Sequence, residues 1–179
     1  MNVRIIAGKH GGRTIAAPTR QSTHAMSERA RNALFNILGN SVGGARVLDA
    51  FAGSGSLGLE ALSRGARTAT FIERDRVAAR IIEENLTLLK EDGTVVATTV
   101  SNWLTTADIE PFDLIFADPP YYDPQFSTVK RLLGLLKPSA LMVLSHPGKG
   151  EVPSVSGVVV VDNRSYGNLN FTLYRREDA

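Results

Sequence analysis

The feature that most constrains the fold is a glycine-rich turn between an apolar strand and a helix, in the run LDAFAGSGSLGLEAL at residues 48–62. Gly53, Gly55 and Gly58 are small residues that let a ligand approach the backbone amides, and the helix that follows offers unpaired N–H donors. Glu73 lies 20 residues after Gly53, where its carboxylate can accept hydrogen bonds from both hydroxyls of a ribose. The spacing predicts an adenosine-containing cofactor across the first two strands of a sheet.

Strands and helices alternate after this point, so we predict an α/β fold with a doubly wound, seven-stranded, mostly parallel sheet. The predicted strands are residues 45–49, 68–72, 95–100, 112–117 and 141–145, with a closing pair at 158–161 and 170–174 around a turn at 166–168. The predicted helices are residues 27–38, a segment ending near 64, residues 75–90, and a segment from Asp123-Pro124 that Pro138 stops. With 179 residues, 43% of them hydrophobic, the chain can bury one full core.

The first 26 residues precede the alternating pattern and predict a separate element. Residues 3–6 and 13–16 predict a short β-hairpin, and residues 17–26 predict an irregular polar connection. We therefore divide the chain into a basic N-terminal segment, residues 1–26, and a main domain, residues 27–179. The hairpin is expected to be an appendage to the core.

Charge is distributed unevenly along the chain. Residues 1–31 carry six cations and one anion, whereas residues 32–179 carry 14 cations and 17 anions. The resulting net charges of +5 and −3 make the N-terminal end the expected contact for a polyanion such as RNA.

Asp49 helps to choose between two cofactors that the glycine spacing allows. The same spacing is typical of nicotinamide dinucleotide enzymes, so a hydride-transferring enzyme is an alternative from this loop alone. Asp49 ends the first predicted strand, where an acid would repel a pyrophosphate but would suit the ammonium of S-adenosylmethionine. No Tyr-Lys or histidine pair suited to hydride relay is evident in the sequence.

The turn Asp118-Pro119-Pro120-Tyr121, at the end of the fourth predicted strand, suits methylation of an exocyclic amine. Such an amine is a poor nucleophile because its lone pair is delocalised into the base. A carboxylate and a prolyl carbonyl can accept the two N–H hydrogens while an aromatic ring stacks on the base. Consecutive prolines hold the turn extended before the substrate arrives. We therefore predict Asp118, Pro119 and Tyr121 as catalytic residues.

With these motifs in place, the chain resembles the bacterial 16S ribosomal RNA guanine-N2 methyltransferases of the RsmD type over nearly its whole length. The segments that carry the resemblance are RIIAGKHGGRTI, ERARNALFNIL, VLDAFAGSGSLGLEALSRGA, FIERD, EENL, FDLIFADPPY and SYGNLNFTLYRR. The resemblance implies a Rossmann-like class I methyltransferase fold with S-adenosylmethionine as cofactor. The implied substrate is the N2 amine of one guanine in small-subunit rRNA, on an assembling particle.

The resemblance also implies roles for individual residues. The methionine end of the cofactor would be held by Asp49, Gly53 and Gly55, and the ribose by Glu73. Asn102 would lie near the adenine, and Phe35 and Asn36 would lie near the cofactor pocket. The guanine would be held by Asp118, Pro119 and Tyr121.

Two places in the sequence depart from the family pattern. Relatives carry an Arg-Pro-Thr-like stretch where this chain has Thr23-His24-Ala25-Met26-Ser27, and an acidic residue follows their fifth strand where this chain has Ser145-His146.

Two other functions use the same motifs and stay open. An adenine-N6 or glutamine-N5 methyltransferase would use the same Asp-Pro-Pro-Tyr turn, although the short basic N-terminus lacks a large DNA-reading domain. A non-catalytic RNA-binding assembly factor could hold S-adenosylmethionine as a structural ligand, but it has no need for amine acceptors beside a methyl donor.

Composition narrows the remaining classes. The absence of cysteine excludes disulfide scaffolds and thiolate zinc sites. His10, His24 and His146 lack metal-ligand spacing, so we expect no metal, and we expect loop hydrogen bonds or, for His10 and His24, phosphate contact. No apolar run approaches the ~20 residues that cross a bilayer, and we expect a cytoplasmic monomer. Asn85 is expected to be a buried amide with a backbone partner.

Overall fold

The computed structural model describes residues 2–19, 26–106, 108–148, 151–167 and 169–178, and its centre is one seven-stranded sheet. The strands are β1 (Asn2–Arg4), β2 (Thr14–Ala16), β3 (Arg46–Ala50), β4 (Thr68–Ile72), β5 (Gly93–Val96), β6 (Phe112–Ala117), β7 (Leu136–His146), β8 (Val158–Tyr166) and β9 (Leu169–Arg176). β1 and β2 form a separate antiparallel pair, and the central order is β5-β4-β3-β6-β7-β9-β8. Among the described strands of the central sheet, only the pairs of β9 with β7 and β8 are antiparallel, so the predicted mostly parallel sheet is confirmed.

The switch point of the sheet lies between β3 and β6. The chain builds outward from β3 through β4 to β5, and then returns to place β6 on the other side of β3. Ala50, the last residue of β3, pairs with Ala117, the last residue of β6. The glycine loop and the Asp-Pro-Pro-Tyr turn therefore leave the sheet side by side, at the position where ligands of open α/β sheets bind.

Within the described residues, five α-helices connect the strands, and a short 3-10 turn (Gly39–Ser41) follows the first of them. The α-helices are α1 (Glu28–Leu38), α2 (Ser56–Ser63), α3 (Arg76–Leu89), α4 (Val100–Leu104) and α5 (Phe126–Leu133). The side chains of Ser27, Asp75 and Thr99 accept hydrogen bonds from first-turn amides of α1, α3 and α4. These amides have no partner inside the helix, so the caps fix where each helix begins. The predicted limits of α1 at Ser27 and Gly39 are confirmed.

Alternating residues of the central strands bury two apolar layers, one on each face of the sheet. Leu114 and Phe116 belong to the layer under α1, α2 and α3, which we call the α1–α3 layer. Ile115 and Ala117 belong to the layer under α4 and α5. Burying a leucine or phenylalanine contributes about 1.5–3 kcal/mol, so the two layers fix β6 and the turn that follows it.

The predicted N-terminal hairpin is confirmed as a separate antiparallel pair, and it packs against the α1–α3 layer. Ile5 and Ile15 are buried in that layer. Glu60 of α2, only 1% exposed, accepts hydrogen bonds from the amides of Ile6 (2.9 Å) and Ala7 (3.1 Å). The buried carboxylate needs such donors, and the hairpin loop supplies them.

Asn85 ties the hairpin to α3. The side chain is 2% exposed. Its Oδ1 accepts from the amide of Ala16 at 3.2 Å, and its Nδ2 donates to the Ala16 carbonyl at 2.8 Å. The prediction of a buried amide with a backbone partner is confirmed.

Several cations of the N-terminal end have carboxylate partners within the fold. Arg31 is buried with its Nε 3.7 Å from Oε1 of Glu60, and burial lowers the pKa of the guanidinium. Exposed cations also pair, Arg4 with Glu28 and Lys9 with Glu91. The net charge of this end therefore overstates the positive charge that it presents to a polyanion.

The third strand is shorter than predicted and is followed by a helix. The sequence predicts a strand over 95–100, whereas β5 ends at Val96. The Thr99 hydroxyl accepts a hydrogen bond from the Asn102 amide at 3.1 Å, which starts α4 at Val100. Asn102 therefore lies in a helix and not at the end of a strand.

The predicted limits of α5 are also wrong. The amide of Asp123 donates to the carbonyl of Pro120 at 3.0 Å, which keeps Asp123 in the turn after β6, and α5 begins at Phe126. α5 ends before Gly134. Pro138 does not stop the helix but lies in β7, in the stretch where the pairing of β7 with β6 is irregular.

The predicted closing pair of strands is confirmed and is longer than predicted. β8 ends at Tyr166 and β9 begins at Leu169. Of the predicted turn between them, Asn168 lies outside the described residues. The rings of Tyr166 and Phe171 stack with centroids 5.9 Å apart, so Tyr166 packs within the fold. No helix in the described part of the chain is long and apolar enough to cross a membrane.

Candidate active site

A pocket of about 1030 Å³ opens at the carboxyl ends of β3, β4 and β6. Asp49 and Gly53 line it from the β3 side, and Glu73 lines it from β4. Asp118 and Pro119 line it from the end of β6. Small-molecule sites occupy about 300–1,000 Å³, so this space is large enough for a cofactor together with part of a second ligand.

The three glycines of the loop have different roles. Gly53 lines the pocket with a φ of 57°, and no atom lies within 4 Å of the position that a Cβ would take. Gly55 is not among the lining residues; its φ is 76°, and a Cβ there would lie 3.0 Å from Ile82. A Cβ at Gly58 would lie 2.3 Å from the ring of Phe71. Gly53 leaves space for a ligand, whereas the other two are required by packing.

The backbone just before Gly53 is strained. Phe51 lines the pocket with a φ of 56°, a left-handed conformation that costs a bulky residue about 1–3 kcal/mol. The amide of Ala52 donates to the carbonyl of Ile72 at 2.9 Å, which holds the loop against the end of β4. Backbone strain of this kind clusters at ligand sites. The sequence did not single out Phe51, because a residue's letter does not report its φ.

Asp49 is a buried carboxylate with other acids nearby. It is 1% exposed, and its Oδ2 accepts a hydrogen bond from the Gly58 amide at 3.0 Å. Burial raises the pKa of Asp49 well above its usual value, the Gly58 hydrogen bond lowers it, and the charges of Asp118 and Glu73 raise it. A cationic ligand would relieve this repulsion, so the pocket suits a positively charged group.

Glu73 directly follows β4, and its carboxylate accepts hydrogen bonds from two backbone amides. Oε1 accepts from Gly53 at 2.8 Å and Oε2 accepts from Asp75 at 2.7 Å. Each carboxylate oxygen has a further lone pair, so Glu73 can still accept hydrogen bonds from two hydroxyls. The side chain orders the glycine loop and remains suited to a ribose.

Asp118 and Pro119 bring the second motif to the same pocket. Burial raises the pKa of the Asp118 carboxyl to about 6, and the Ser145 hydroxyl lowers it. At neutral pH the carboxylate is mostly ionised and can accept a hydrogen from an amine. Pro119 is buried beside it. The motif therefore presents its acceptors to the space that Asp49 and Gly53 line.

Tyr121 is half-buried and is not among the residues that line the pocket. Burial raises the pKa of Tyr121, the Ser145 hydroxyl lowers it, the charge of Asp118 raises it, and the backbone of Asn170 lowers it. These partners place the phenol beside β7 and β9. Stacking of the ring on a base stays a prediction.

Besides Gly55, three residues that the resemblance places near the cofactor do not line the pocket. Phe35 is 2% exposed and packs against Phe116, with ring centroids 5.6 Å apart. Asn36 follows it on α1 and is exposed. Asn102 is exposed on α4, and its neighbour Ser101 lines the pocket instead. Helical periodicity explains these positions, because adjacent residues point about 100° apart.

Two exposed residues that the sequence did not single out meet across the pocket mouth. Arg74 follows β4 and Tyr122 lies after β6, and both line the pocket. Arg74 Nη2 donates to the Tyr122 hydroxyl at 3.2 Å, although Tyr122 is 80% exposed. Because β3 lies between β4 and β6, this contact spans the pocket above the loop that follows β3. The sequence feature that could have indicated this contact is Tyr122, the second of two tyrosines that follow Pro120.

Described residues on either side of residues 20–25 line the pocket. They are Pro18 and Thr19 on one side and Met26, which belongs to the segment that departs from the family pattern, on the other. Ser27 caps α1. Residues 20–25, which include His24, lie outside the described residues.

Two histidines have partners within the fold. His10 Nε2 lies 2.8 Å from Oε1 of Glu91. His146 Nε2 lies 2.9 Å from Oγ1 of Thr172, and its Nδ1 accepts a backbone amide at 3.1 Å. Burial lowers the pKa of His146. His146 therefore joins β7 to β9 as a neutral side chain. Within the residues that the structure describes, no group of three acids or histidines could hold a metal ion.

Comparison with known proteins identifies relatives along the whole chain. A family model described as Conserved hypothetical protein 95 matches residues 3–175. Ribosomal RNA small subunit methyltransferase D of Escherichia coli K12 is 33% identical over 179 residues, which cover 98% of this chain and 90% of that protein. The Haemophilus influenzae protein of the same name is 32% identical, over 97% of this chain and 93% of its own length.

Solved structures agree with this grouping. The Escherichia coli protein yhhF is 33% identical, with a TM-score of 0.88 and full coverage of both chains. A hypothetical protein of Thermus thermophilus is 34% identical, with a TM-score of 0.82 and 99% coverage of each chain. TrmN of Thermus thermophilus, 20% identical with a TM-score of 0.70 over 86% of this chain and half of its own, shares the fold. The chain is a methyltransferase and belongs to the Conserved hypothetical protein 95 family, together with these methyltransferase D proteins.

Proposed function

We propose that this protein transfers a methyl group from S-adenosylmethionine to the exocyclic N2 amine of a guanine in 16S rRNA of the small ribosomal subunit. The main observation behind the proposal is that Asp49 and Glu73 line one side of a pocket whose other side is lined by Asp118 and Pro119. The rRNA substrate is supported by two relatives, about a third identical, that are named ribosomal RNA small subunit methyltransferase D.

The cofactor side fits S-adenosylmethionine, which carries two positive groups. In this proposal Asp49 holds the ammonium, Gly53 leaves space for the methionine end because it has no side chain, and Glu73 has lone pairs for the ribose hydroxyls. When bound, S-adenosylmethionine supplies an electrophilic methyl group on a sulfonium that leaves as a neutral thioether. We place Ser101, rather than Asn102, beside the adenine, because Ser101 lines the pocket.

Gly55 and Asn36 take indirect roles in this proposal. Gly55 sets the start of α2 through its positive φ and its contact with Ile82. Asn36 lies on the exposed side of α1, next to the buried Phe35. Neither is expected to contact the cofactor directly.

The substrate side has to orient a weak nucleophile. The Asp118 carboxylate accepts one hydrogen of the guanine amine, the carbonyl of Pro119 accepts the other, and the ring of Tyr121 supports the base. The nitrogen lone pair then points at the methyl group, and such alignment is worth about 7–11 kcal/mol. As the N–C bond forms, the amine becomes positively charged and loses a proton. Asp118, with a pKa of about 6, can accept that proton and pass it to water.

The RNA must present its guanine outside a helix. Unstacking a base costs a few kcal/mol, which favours loops and bulges of an assembling small subunit. We propose that residues 1–26 contact this RNA and that residues 27–179 carry the chemistry. The protein is proposed to act as a monomer in the bacterial cytoplasm, without a metal.

Methyl transfer can be tested directly. The protein is incubated with methyl-labelled S-adenosylmethionine and small-subunit particles or rRNA from cells that lack the gene, and the nucleosides are separated. We expect label in N2-methylguanosine. Asp118→Ala should abolish it, whereas Asp92→Ala, at an acid outside the pocket lining, should not.

The other outcomes separate the alternatives. Label in N6-methyladenine, in duplex DNA or in a protein glutamine would contradict the guanine assignment. Cofactor and RNA binding without any incorporation would identify an assembly factor that does not catalyse methylation.

A further inference from the structure

Ser145 lies beside Asp118 at the carboxyl end of the sheet. Leu144 of β7 pairs in parallel with Ala117, the last residue of β6. The residues that follow them, Ser145 and Asp118, therefore lie side by side at the carboxyl ends of these strands. Both are two residues beyond a member of the α1–α3 layer, so their side chains leave the same face of the sheet. The register therefore brings a hydroxyl next to the proposed amine acceptor.

The Ser145 hydroxyl is buried without a hydrogen-bond partner. The side chain is 2% exposed, and among the described residues no group meets its Oγ at hydrogen-bond geometry. An unpaired buried hydroxyl costs about 1–3 kcal/mol. Ser63, also buried, shows the ordinary arrangement, because its Oγ donates to the Ala7 carbonyl at 2.6 Å. Packing alone therefore does not account for a serine at position 145.

Asp118 and Tyr121 are the ionisable groups near this hydroxyl. Ser145 lies near enough to lower the pKa of both, although its Oγ does not reach hydrogen-bond geometry, whereas burial raises the pKa of both. A hydroxyl has one hydrogen to donate, so it serves one acceptor at a time. Asp118 is the group that is ionised at neutral pH, and a charged acceptor attracts the hydrogen more strongly.

We propose that Ser145 is a positioning residue: with the target amine bound, its hydroxyl donates to one Asp118 oxygen and leaves the other oxygen to accept from the amine. The inference rests on the proposed function, because it concerns the same site. The orientation of the carboxylate matters because a misplacement of about 1 Å can reduce a rate by about 10²-fold.

The test compares Ser145→Ala and Ser145→Cys with the wild type across the acidic limb of the rate profile. Alanine removes the donor, and cysteine keeps similar size with a weaker donor. We expect kcat at neutral pH to fall about tenfold in Ser145→Ala and less in Ser145→Cys. The midpoint of the acidic limb should move up by about half a unit or more, with the dissociation constant for S-adenosylmethionine within about twofold.

A matched control separates this role from a structural one. Ser63→Ala removes a buried serine hydroxyl that has partners, so it should lower the melting temperature and leave the acidic midpoint unchanged. Ser145→Ala should keep or raise the melting temperature, because it removes an unpaired hydroxyl. An unchanged kcat and midpoint in Ser145→Ala would overturn the proposal.

A titration that needs no activity distinguishes this proposal from the proposed function. The carboxyl carbon of Asp118 is followed by ¹³C NMR against pH, with Asp118→Asn identifying the signal. A higher Asp118 pKa in Ser145→Ala supports the inference, and an unchanged pKa overturns it, whether or not methyl transfer to RNA is observed.

Discussion

Among the individual residues, Asp118 in its charged form lowers the stability of the fold, and the same charged form serves the proposed chemistry. The carboxyl is placed where burial raises its pKa to about 6, so the fold disfavours the charged form. The same charged form is the one that can accept a hydrogen from an amine. Selection for stability alone would replace such a residue, and its presence beside the pocket supports a chemical role.

The pH dependence of methyl transfer should report this residue. Because the ionised carboxylate is required, we expect kcat to fall as the pH decreases through about 6, with roughly a tenfold loss per unit below it. Single-turnover rates from neutral to acidic pH measure the midpoint. A profile that is flat down to about pH 5 would rule out Asp118 as the acceptor with the raised pKa.

Asp118→Asn should be more stable and much less active. The folded-state pKa is raised above the unfolded value, so Asp118 destabilises the fold as the pH rises from about 4 to about 6. Asparagine is neutral at every pH. We therefore expect its unfolding free energy to exceed that of the wild type by roughly 1–3 kcal/mol above pH 6 and to match it below about pH 4.

Denaturant unfolding at the two pH values measures this difference, and methyl transfer is measured in parallel. A rate loss of about 10²-fold or more, with unchanged cofactor affinity, is expected because the amine loses its charged acceptor. Lower stability of Asp118→Asn at neutral pH would contradict this account of the raised pKa of Asp118.

At the scale of the element, the start of α2 depends on Gly55 through two separate effects. Its positive φ of 76° strains any other residue, and Ile82 of α3 leaves a Cβ only 3.0 Å of space. Gly44 has a similar φ of 73°, with no atom within 4 Å of its Cβ position. A comparison of substitutions at Gly55 and Gly44 therefore distinguishes the cost of backbone strain from the cost of the contact with Ile82.

Alanine at these two glycines should therefore have unequal costs. We expect Gly44→Ala to lose about 1 kcal/mol of unfolding free energy, and Gly55→Ala to lose about 1–2 kcal/mol more, because Ile82 must shift. Denaturant unfolding of the two variants measures the difference. Equal losses would show that α3 accommodates the added methyl group without strain.

The elements also show what the sequence could predict. The alternation of strands and helices, the cap at Ser27 and the buried amide of Asn85 follow from periodicity and side-chain chemistry, and the structure confirms them. The start of α4 depends on Thr99, a cap that resembles any surface threonine. The start of α5 depends on a backbone hydrogen bond of Asp123 that no residue type signals.

The sequence could likewise predict some residues of the proposed site and not others. Asp49, Glu73 and Asp118 follow from their positions at strand ends, because parallel strands bring those ends together. Ser145 could not be predicted, since its place beside Asp118 depends on the register of β7. The burial of Phe35 depends on which side of α1 faces the sheet.

At the scale of the whole molecule, the N-terminal hairpin is part of the same body as the pocket. It contributes Ile5 and Ile15 to the core, and Asn85 and Glu60 bind its backbone. A surface that is held this firmly can orient a large substrate, since little conformational entropy is lost on binding.

The RNA surface can be tested by removing three hairpin cations together, Arg4, Lys9 and Arg13. Alanine at all three should weaken RNA binding and flatten its dependence on salt by up to about two counterions, with cofactor affinity unchanged. We expect fewer than three counterions to be lost because Arg4 and Lys9 are paired with Glu28 and Glu91 and must break these ion pairs to contact phosphate.

The control removes the same number of cations from α5 and the start of β7. Alanine at Lys130, Arg131 and Lys137, in and after α5, should leave the salt dependence nearly unchanged. Equal effects of the two triple variants would show that the RNA does not bind specifically to the hairpin.

The backbone contact at Gly8 gives the hairpin a further property. A Cβ there would lie 1.9 Å from the carbonyl oxygen of Ser63, and the amide of Lys9 donates to that oxygen at 2.8 Å. α2 starts at the cofactor loop and ends at this contact after eight residues, or about 12 Å. α2 thus acts as a rigid spacer between the hairpin, which we propose as the RNA contact, and the pocket. We expect that lengthening α2 by one turn would change which nucleotide reaches the pocket and would leave the affinity for RNA unchanged.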